Sequence, residues 1–519
     1  MRKLEKTQLL KNVGSSWFSL AINLAVGIFL SPFIIHRLGD AAYGIWVLIF
    51  SFTGYYGLFD LGIRSSIVRY VSKFAATEEN EEISKLISTS LFTYTCIGAG
   101  SMLITITICI FLNRIFHIPS GFHSSARLLL LMVGSAVALG FPLGVFGGIL
   151  EGLQKFYILN WTSIASTIIR AVLIVIFLDN GYGLLTAAAI TVALPLLSAG
   201  VRAAIALRAL PVRLKLEYVN RATLGEMANY SGLTFMIIVA AKLRFQTDEI
   251  VIGTALSAAA ITYFSIGARI VDYATDIVNS LAQLFVPMSS QSDASGNLSR
   301  LRKIFVAGNR ACAFTILPIS ATLIILGKSV IEVWVGRRYV EQSYPVLLIL
   351  IIPCTVMLAQ SASGRILLGM GRHKTLAIVS FVEGISNLLL SILLVRPYGI
   401  IGDAVGTAIP LTCTMVFFMP RHLCGKLGLR LGTFLREAYS LPVILCVPMA
   451  VVLLLLHHRV VPHTRLQLAT QVFAAALTYG ICMLWAFLTG RAFHVADLSS
   501  IESQALFEGS IPPQTEGTY

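Results

Sequence analysis

The chain has 519 residues, 56% of them hydrophobic and only 12% charged, with a mean hydropathy of +0.81 and a net charge of +14. Soluble domains carry about a quarter charged residues, so these values exclude a string of soluble domains and leave a polytopic membrane protein, counted in apolar spans of about 20 residues. The basic residues fall at span ends and inside spans, with no basic soluble domain to hold a duplex, which excludes nucleic acid and points to topology signals, anionic lipid headgroups and an anionic substrate.

Residues 1–11, MRKLEKTQLLK, alternate basic and apolar side chains and read as a segment lying along the membrane surface. The apolar run behind them continues to Ile35, too long for a cleavable signal and without a small-residue cleavage pattern. Spans are predicted near 14–35, 43–66, 86–112, 128–150, 157–178 and 183–207, followed by a basic connector over 208–221. A second set falls near 227–252, 260–286, 304–327, 345–368, 375–395 and 400–420; a basic connector over 421–436 then leads to spans near 439–456 and 468–489. The polar tail 491–519, with Pro512–Pro513, reads as disordered. The expected organisation is a six-helix bundle over 1–212, a second over 213–430, two further helices over 431–490 and a cytoplasmic tail over 491–519. Alternate loops on the side of the N-terminus hold 23 Lys and Arg against nine on the other, which sets both termini inside. Of the eight cysteines none has metal-ligand spacing and seven lie in apolar runs, so neither disulfide nor metal site is expected.

The chain repeats itself. GGILEGLQKFYILNWTSIASTIIRAVLIVIFLDNGYGLLTAA, from Gly147, answers SGRILLGMGRHKTLAIVSFVEGISNLLLSILLVRPYGIIGDA, from Ser363. Gly152 matches Gly369 and Lys155 matches Arg372 at an offset of 217, and Tyr182–Gly183 matches Tyr398–Gly399 at 216. Six spans per unit is an even number, so the halves share one topology and form parallel repeats. The fold class is therefore an all-α polytopic membrane protein of about 14 transmembrane helices, two parallel six-helix repeats facing a central cavity plus two C-terminal helices.

The seventh and eighth spans carry the densest intramembrane charge, broken near 253–257. Lys242, Arg244, Asp248 and Glu249 lie before the break, Arg269, Asp272 and Asp276 after it. Arg269, Asp272 and Asp276 share one helix face, and Arg244 and Asp248 are spaced i, i+4, as are Asp60 and Arg64 on the second span. Each mid-membrane charge costs about 2.5–3.5 kcal/mol on insertion scales and faces a bundle interior or wet cavity. Such a cluster either pairs off to orient the bundle or lines a charged path.

The two repeats plus two helices, the GxLxGxxK-type turns at Gly148–Lys155 and Gly364–Arg372, and the YG element after each following helix resemble the polysaccharide exporters. These are the O-antigen (Wzx-type) flippase branch of the multidrug/oligosaccharidyl-lipid/polysaccharide exporter superfamily. LKNVGSSWFSLAINLAVGIFLSPFIIHRLGDAAYGIWVLIFSFTGYYGLFDLGI is similar to that branch's first two helices, and TDEIVIGTALSAAAITYFSIGARI to its seventh and eighth. The resemblance covers most of residues 10–430. It implies a bacterial plasma-membrane transporter that moves an isoprenoid-diphosphate-linked oligosaccharide from the inner to the outer leaflet, without a cofactor. It implies membrane lipids, the lipid-linked substrate and other polysaccharide-assembly proteins as partners, and because two lobes make a pump without a partner subunit a monomer is expected.

A diphosphate cannot cross hydrocarbon unaided, and Arg and Lys in a shielded cavity can accept it. The candidates are Arg64, Lys242, Arg244, Arg269 and Arg310, with Arg170 and Arg365 behind them. Asp60, Asp248, Asp272 and Asp276 either take up protons or sodium or balance the cations. Within the superfamily a lipid-linked peptidoglycan-precursor flippase fits the same span count. A cation/drug antiporter fits less well, because the first span has no Asp or Glu and cavity cations repel cationic drugs. A membrane glycosyltransferase needs a large extramembrane lobe, whereas no connector exceeds about 20 residues, and no repeated selectivity-filter sequence supports a channel. GMGRHKT at Gly369 lacks phosphate-loop spacing.

Overall fold

The computed structural model describes residues 2–77, 79–209, 214–220, 224–225, 239, 242, 246–371 and 374–491, and for 2–10, 13, 76 and 374 the backbone alone. Among these residues every regular element is helical, as expected of a backbone that must satisfy its own hydrogen bonds in lipid. Among the described residues, eleven helices are long and apolar enough to cross a membrane. The longest such stretch, Thr375–Leu427, covers two expected spans, and Gly399 (φ 61°) turns the chain between them. The expected span 260–286 is the helix Ala258–Ala282, whose three charges keep it outside the eleven. Most of the expected span 227–252 lies outside the described residues. The expected break in the charged region falls between the helices Asp248–Ala255 and Ala258–Ala282.

The repeat read from the sequence recurs in the helix boundaries. One helix ends at Gly152 and the next begins at Phe156; in the second half one ends at Gly369 and the next begins at Lys374. The chain turns just before the first YG element, at Gly181, and within the second, at Gly399, both at positive φ, a region open to a residue without Cβ.

By its contacts the chain forms two compact units. The first takes residues 1–268, 341–346 and 377–407. Its core joins the helices Ile63–Ala76, Asn80–Ile115 and His123–Gly152 through Ile67, Val71, Ile83, Ile87, Val145 and Ile149. A Cβ on Gly98 would lie 2.4 Å from the Ala138 carbonyl, so this glycine lets two spans meet at backbone distance. Hydrogen bonds tie the helices Arg2–Leu38 and Phe156–Asp179: Asn160 donates to Ser15 (2.9 Å) and Thr167 to Asn23 (3.1 Å). In lipid such polar contacts hold helices that apolar burial does not drive together.

The second unit takes residues 269–340, 347–376 and 408–519. It packs the helix Leu298–Val335 against Leu431–Arg459 and Arg465–Leu488, through stacked Phe305 and Phe434 (4.6 Å) and a cluster of Leu326, Met449, Leu453 and Ala475. Thr464 and Gln467 form a capping box at the start of the last helix. Gln360, at the break between Val340–Ala359 and Ser361–Gly369, donates to the Met415 carbonyl (2.9 Å) inside the π-helical turn Cys413–Phe418.

Candidate functional site

The second span is not one straight helix. Asp40–Gly54 passes into a 3-10 turn over Tyr55–Asp60; Leu61 (φ 50°) and Gly62 (φ 77°) are both left-handed, and a new helix runs Ile63–Ala76. Glycine takes this conformation freely, whereas at Leu61 it is strained. Irregular backbone at membrane depth is tolerated where protein covers it or water reaches it. Asp60 and Arg64 flank the break, but they do not pair with one another. The Tyr94 hydroxyl donates to Asp60, and Arg64 donates to both oxygens of Glu151, at 2.5 and 3.4 Å. The Arg64 side chain is 47% exposed beside Gly147. A guanidinium has five donors, and Glu151 takes two of them, the only side-chain partner of Arg64 among the described residues.

A second constellation in the same unit is made of oxygen. The Thr407 hydroxyl lies 3.2 Å from both carboxylate oxygens of Asp248, 3.3 Å from Asn387 Oδ1 and 3.5 Å from the Asp403 carbonyl. Ser391 Oγ lies 3.0 Å from the same Asn387 oxygen and 3.3 Å from the same carbonyl. Asp248, Asn387, Ser391, Asp403 and Thr407 are all buried. Four acceptor oxygens, two from the Asp248 carboxylate, the Asn387 amide oxygen and the Asp403 carbonyl, thus converge on two hydroxyls. The Asp403 carboxylate adds a fully buried group with neither oxygen hydrogen-bonded among the described residues. Glu383, also buried, lies one turn before Asn387 on the same helix face. Crowded lone pairs in a low dielectric attract a small cation, in the manner of hard oxygen ligands.

The other expected site residues are placed as follows. Lys242 is half-buried and donates to Gln246 Oε1 at 2.9 Å. Arg244 lies outside the described residues. Arg269 pairs with Asp272 at 3.6 Å, both side chains about half exposed, with Asp276 one turn further along the same helix. Arg310 is buried: it donates to the Glu437 carbonyl at 2.8 Å and meets its carboxylate at 3.3 Å. It therefore anchors the helix Leu431–Arg459 and is buried where Arg64 is half exposed. The structure thus brings Asp248 together with residues that sequence reasoning passed over: Asn387, Ser391, Asp403 and Thr407. The available signal was the burial of polar groups four apart in an apolar run, and a carboxylate inside a span, which by default marks function.

A family model described as "Polysaccharide biosynthesis protein" matches residues 9–293. The chain is 22% identical over 417 residues to the "Putative O-antigen transporter" of Shigella flexneri, an alignment covering 77% of this chain and 94% of that protein. Among solved structures it is similar to the lipid II flippase MurJ in an inward closed conformation, with a TM-score of 0.69 and 16% identity over 92% of this chain and 99% of that one. It is also similar to an inward-facing multidrug resistance MATE family transporter of the MOP superfamily, with a TM-score of 0.64 and 15% identity over 79% and 94% of the two chains. At these identities the structures show the fold alone, an all-α arrangement of many membrane-crossing helices.

Proposed function

The chain belongs to the polysaccharide biosynthesis protein family, and from that premise we propose that it flips an isoprenoid (undecaprenyl) diphosphate-linked oligosaccharide from the inner to the outer leaflet by alternating access, for polysaccharide export. The work is carriage of a charged headgroup through hydrocarbon; no bond is made or broken, and the protein is a transporter and not an enzyme. It resides in the bacterial plasma membrane with both termini cytoplasmic, and the repeats 1–212 and 213–430 are its moving halves. The observation that carries this reading is Arg64, a carboxylate-oriented, half-exposed guanidinium at a break in a membrane span. Bidentate guanidinium contacts suit phosphate oxygens. Arg269, which is half exposed beside Asp272, and Lys242 and Arg244 are the further cations proposed to meet phosphate in the course of the cycle. Asp60, Asp272 and Asp276 balance these cations.

The oxygen cluster around Asp248 supports a second component of the cycle: a small monovalent cation, sodium or a proton, carried in exchange for the lipid. The buried Asp248 supplies charge, and the Asn387 amide oxygen, the Asp403 carbonyl and the Thr407 hydroxyl supply neutral oxygens.

The test is a proteoliposome assay of leaflet movement of a fluorescent undecaprenyl-diphosphate sugar, comparing wild type with Arg64→Ala and Arg269→Ala at matched insertion. Movement in wild type that collapses in both variants supports the reading. Movement unaffected by either variant keeps the function and discards the phosphate site. Efflux of a cationic dye without lipid movement makes the chain a drug antiporter, and preference for a lipid-linked peptidoglycan precursor makes it a flippase of that pathway.

A further inference from the structure

One contact joins the two constellations. Tyr55 opens the 3-10 turn that ends at Asp60, and its hydroxyl lies 2.6 Å from Thr247 Oγ1 and donates to the Lys242 carbonyl at 3.3 Å. Thr247 is the residue before Asp248, and its carbonyl accepts from the amides of Ile250 and Val251, so it fixes the first turn of the helix that carries Asp248. Beside it, Gly54 leaves room for Gln246: a Cβ there would lie 2.6 Å from Gln246 Oε1, the oxygen that Lys242 holds at 2.9 Å. The 3-10 turn is thus pinned at one end to the segment leading into Asp248 and at the other to Tyr94 through Asp60.

We propose that Tyr55 is the positioning residue that couples cation occupancy at Asp248 to the phosphate-binding edge of Arg64, with the irregular stretch 55–62 as the moving part. This rests on the cation-coupled flippase reading above. A cation drawn between Asp248 and Thr407 shifts the first turn of the Asp248–Ala255 helix. Thr247 moves with it, the Tyr55 hydroxyl follows, and one short turn later the left-handed pair Leu61–Gly62 re-aims Arg64. A 3-10 turn ending in a strained left-handed residue transmits such a shift more readily than an α-helix, because its hydrogen bonds are already poor.

The test is hydrogen–deuterium exchange on the full chain in lipid nanodiscs, in sodium chloride against choline chloride, with a downward pH step in sodium-free buffer as the proton arm. Two peptides are read, one covering 55–62 and one covering 387–407. In wild type, one of the two cations is expected to slow exchange in 387–407 and to change exchange in 55–62 by about fivefold, the equivalent of gaining or losing one hydrogen bond. In Tyr55→Phe, which removes only the hydroxyl, the response at 387–407 persists and the cation-dependent change at 55–62 disappears. Thr247→Val gives the same split. A tyrosine that merely packs would change exchange at 55–62 equally with and without cation, which overturns the proposal. So does a wild-type response at 387–407 with none at 55–62. Silence at 387–407 in both arms instead removes the cation site itself, and the link falls with it.

Discussion

At the scale of the residue, two of the arginines expected to meet a diphosphate, Arg64 and Arg310, have opposite surroundings, and these predict opposite phenotypes. Among the described residues, Arg64 donates from its side chain only to Glu151. Losing a charge-assisted contact costs about 1.5–3 kcal/mol, so Arg64→Ala is expected to raise the apparent KM for the lipid by about ten- to a hundredfold with little loss of thermal stability. Arg64→Lys recovers little, because an ammonium lacks the planar fork. Both are read by flipping rates over a range of substrate concentration in proteoliposomes, alongside melting in detergent. Arg310 is buried against Glu437. Arg310→Ala leaves that carboxylate without its partner, and breaking such a pair costs about 3–5 kcal/mol; the expected result is a large drop in melting temperature with an unchanged KM in the fraction that stays folded. A raised KM at unchanged stability would return Arg310 to the substrate path. Both arginines were read from the sequence as candidate phosphate ligands; the difference between their surroundings is made by Glu151 and Glu437, each more than 80 residues away.

At the scale of the element, the breaks in the helices carry more information than the helices. Spans were legible because a 20-residue apolar run has one outcome in lipid, and the break after Ala255 was legible in the glycine and serine around it. The break at 55–62 was not. Its sequence, YYGLFDLG, is apolar enough to pass for continuous helix, and the turn is held by tertiary bonds from Tyr94 and Thr247. The oxygen cluster was half legible for the same reason. Asp248 announced itself among other charges, whereas Asn387, Asp403 and Thr407 gain meaning only when chain segments some 150 residues apart fold together. Close approach of elements gives a prediction of its own. A Cβ on Gly44 would lie 1.7 Å from the Ala258 carbonyl, so Asp40–Gly54 and the start of Ala258–Ala282 touch at backbone distance, reinforced by Thr262 donating to the Asp40 carbonyl at 2.7 Å. Gly44→Val must push the two apart, at a cost expected to exceed about 2 kcal/mol. Melting and flipping should both fall; a variant as stable and active as wild type would show that these helices do not stay in contact.

At the scale of the whole molecule, the question is what drives a charged lipid one way. In a cell that is negative inside, moving a diphosphate from the inner to the outer leaflet carries negative charge out and runs with the potential, at about 2.3 kcal/mol per charge per 100 mV. A cation taken inward in exchange runs the same way, so the two contributions add. They are separable because they sit on different residues. Replacing Asp248 by Asn keeps the shape of the oxygen cluster and removes its charge, and so is expected to abolish the dependence of flipping on a cation gradient. The dependence on membrane potential should remain, reduced by the charge that the cation carried, because the proposed phosphate ligand Arg64 is untouched. The measurement imposes a potassium diffusion potential and a sodium or proton gradient independently on proteoliposomes and follows the outer-leaflet fraction of the labelled lipid. A variant that keeps the full gradient dependence would place the coupling ion elsewhere, with Asp272 and Asp276 next to be tested. A variant that loses its response to both forces would mean that the cation is required for the conformational cycle itself, and that the potential acts only on a protein already loaded.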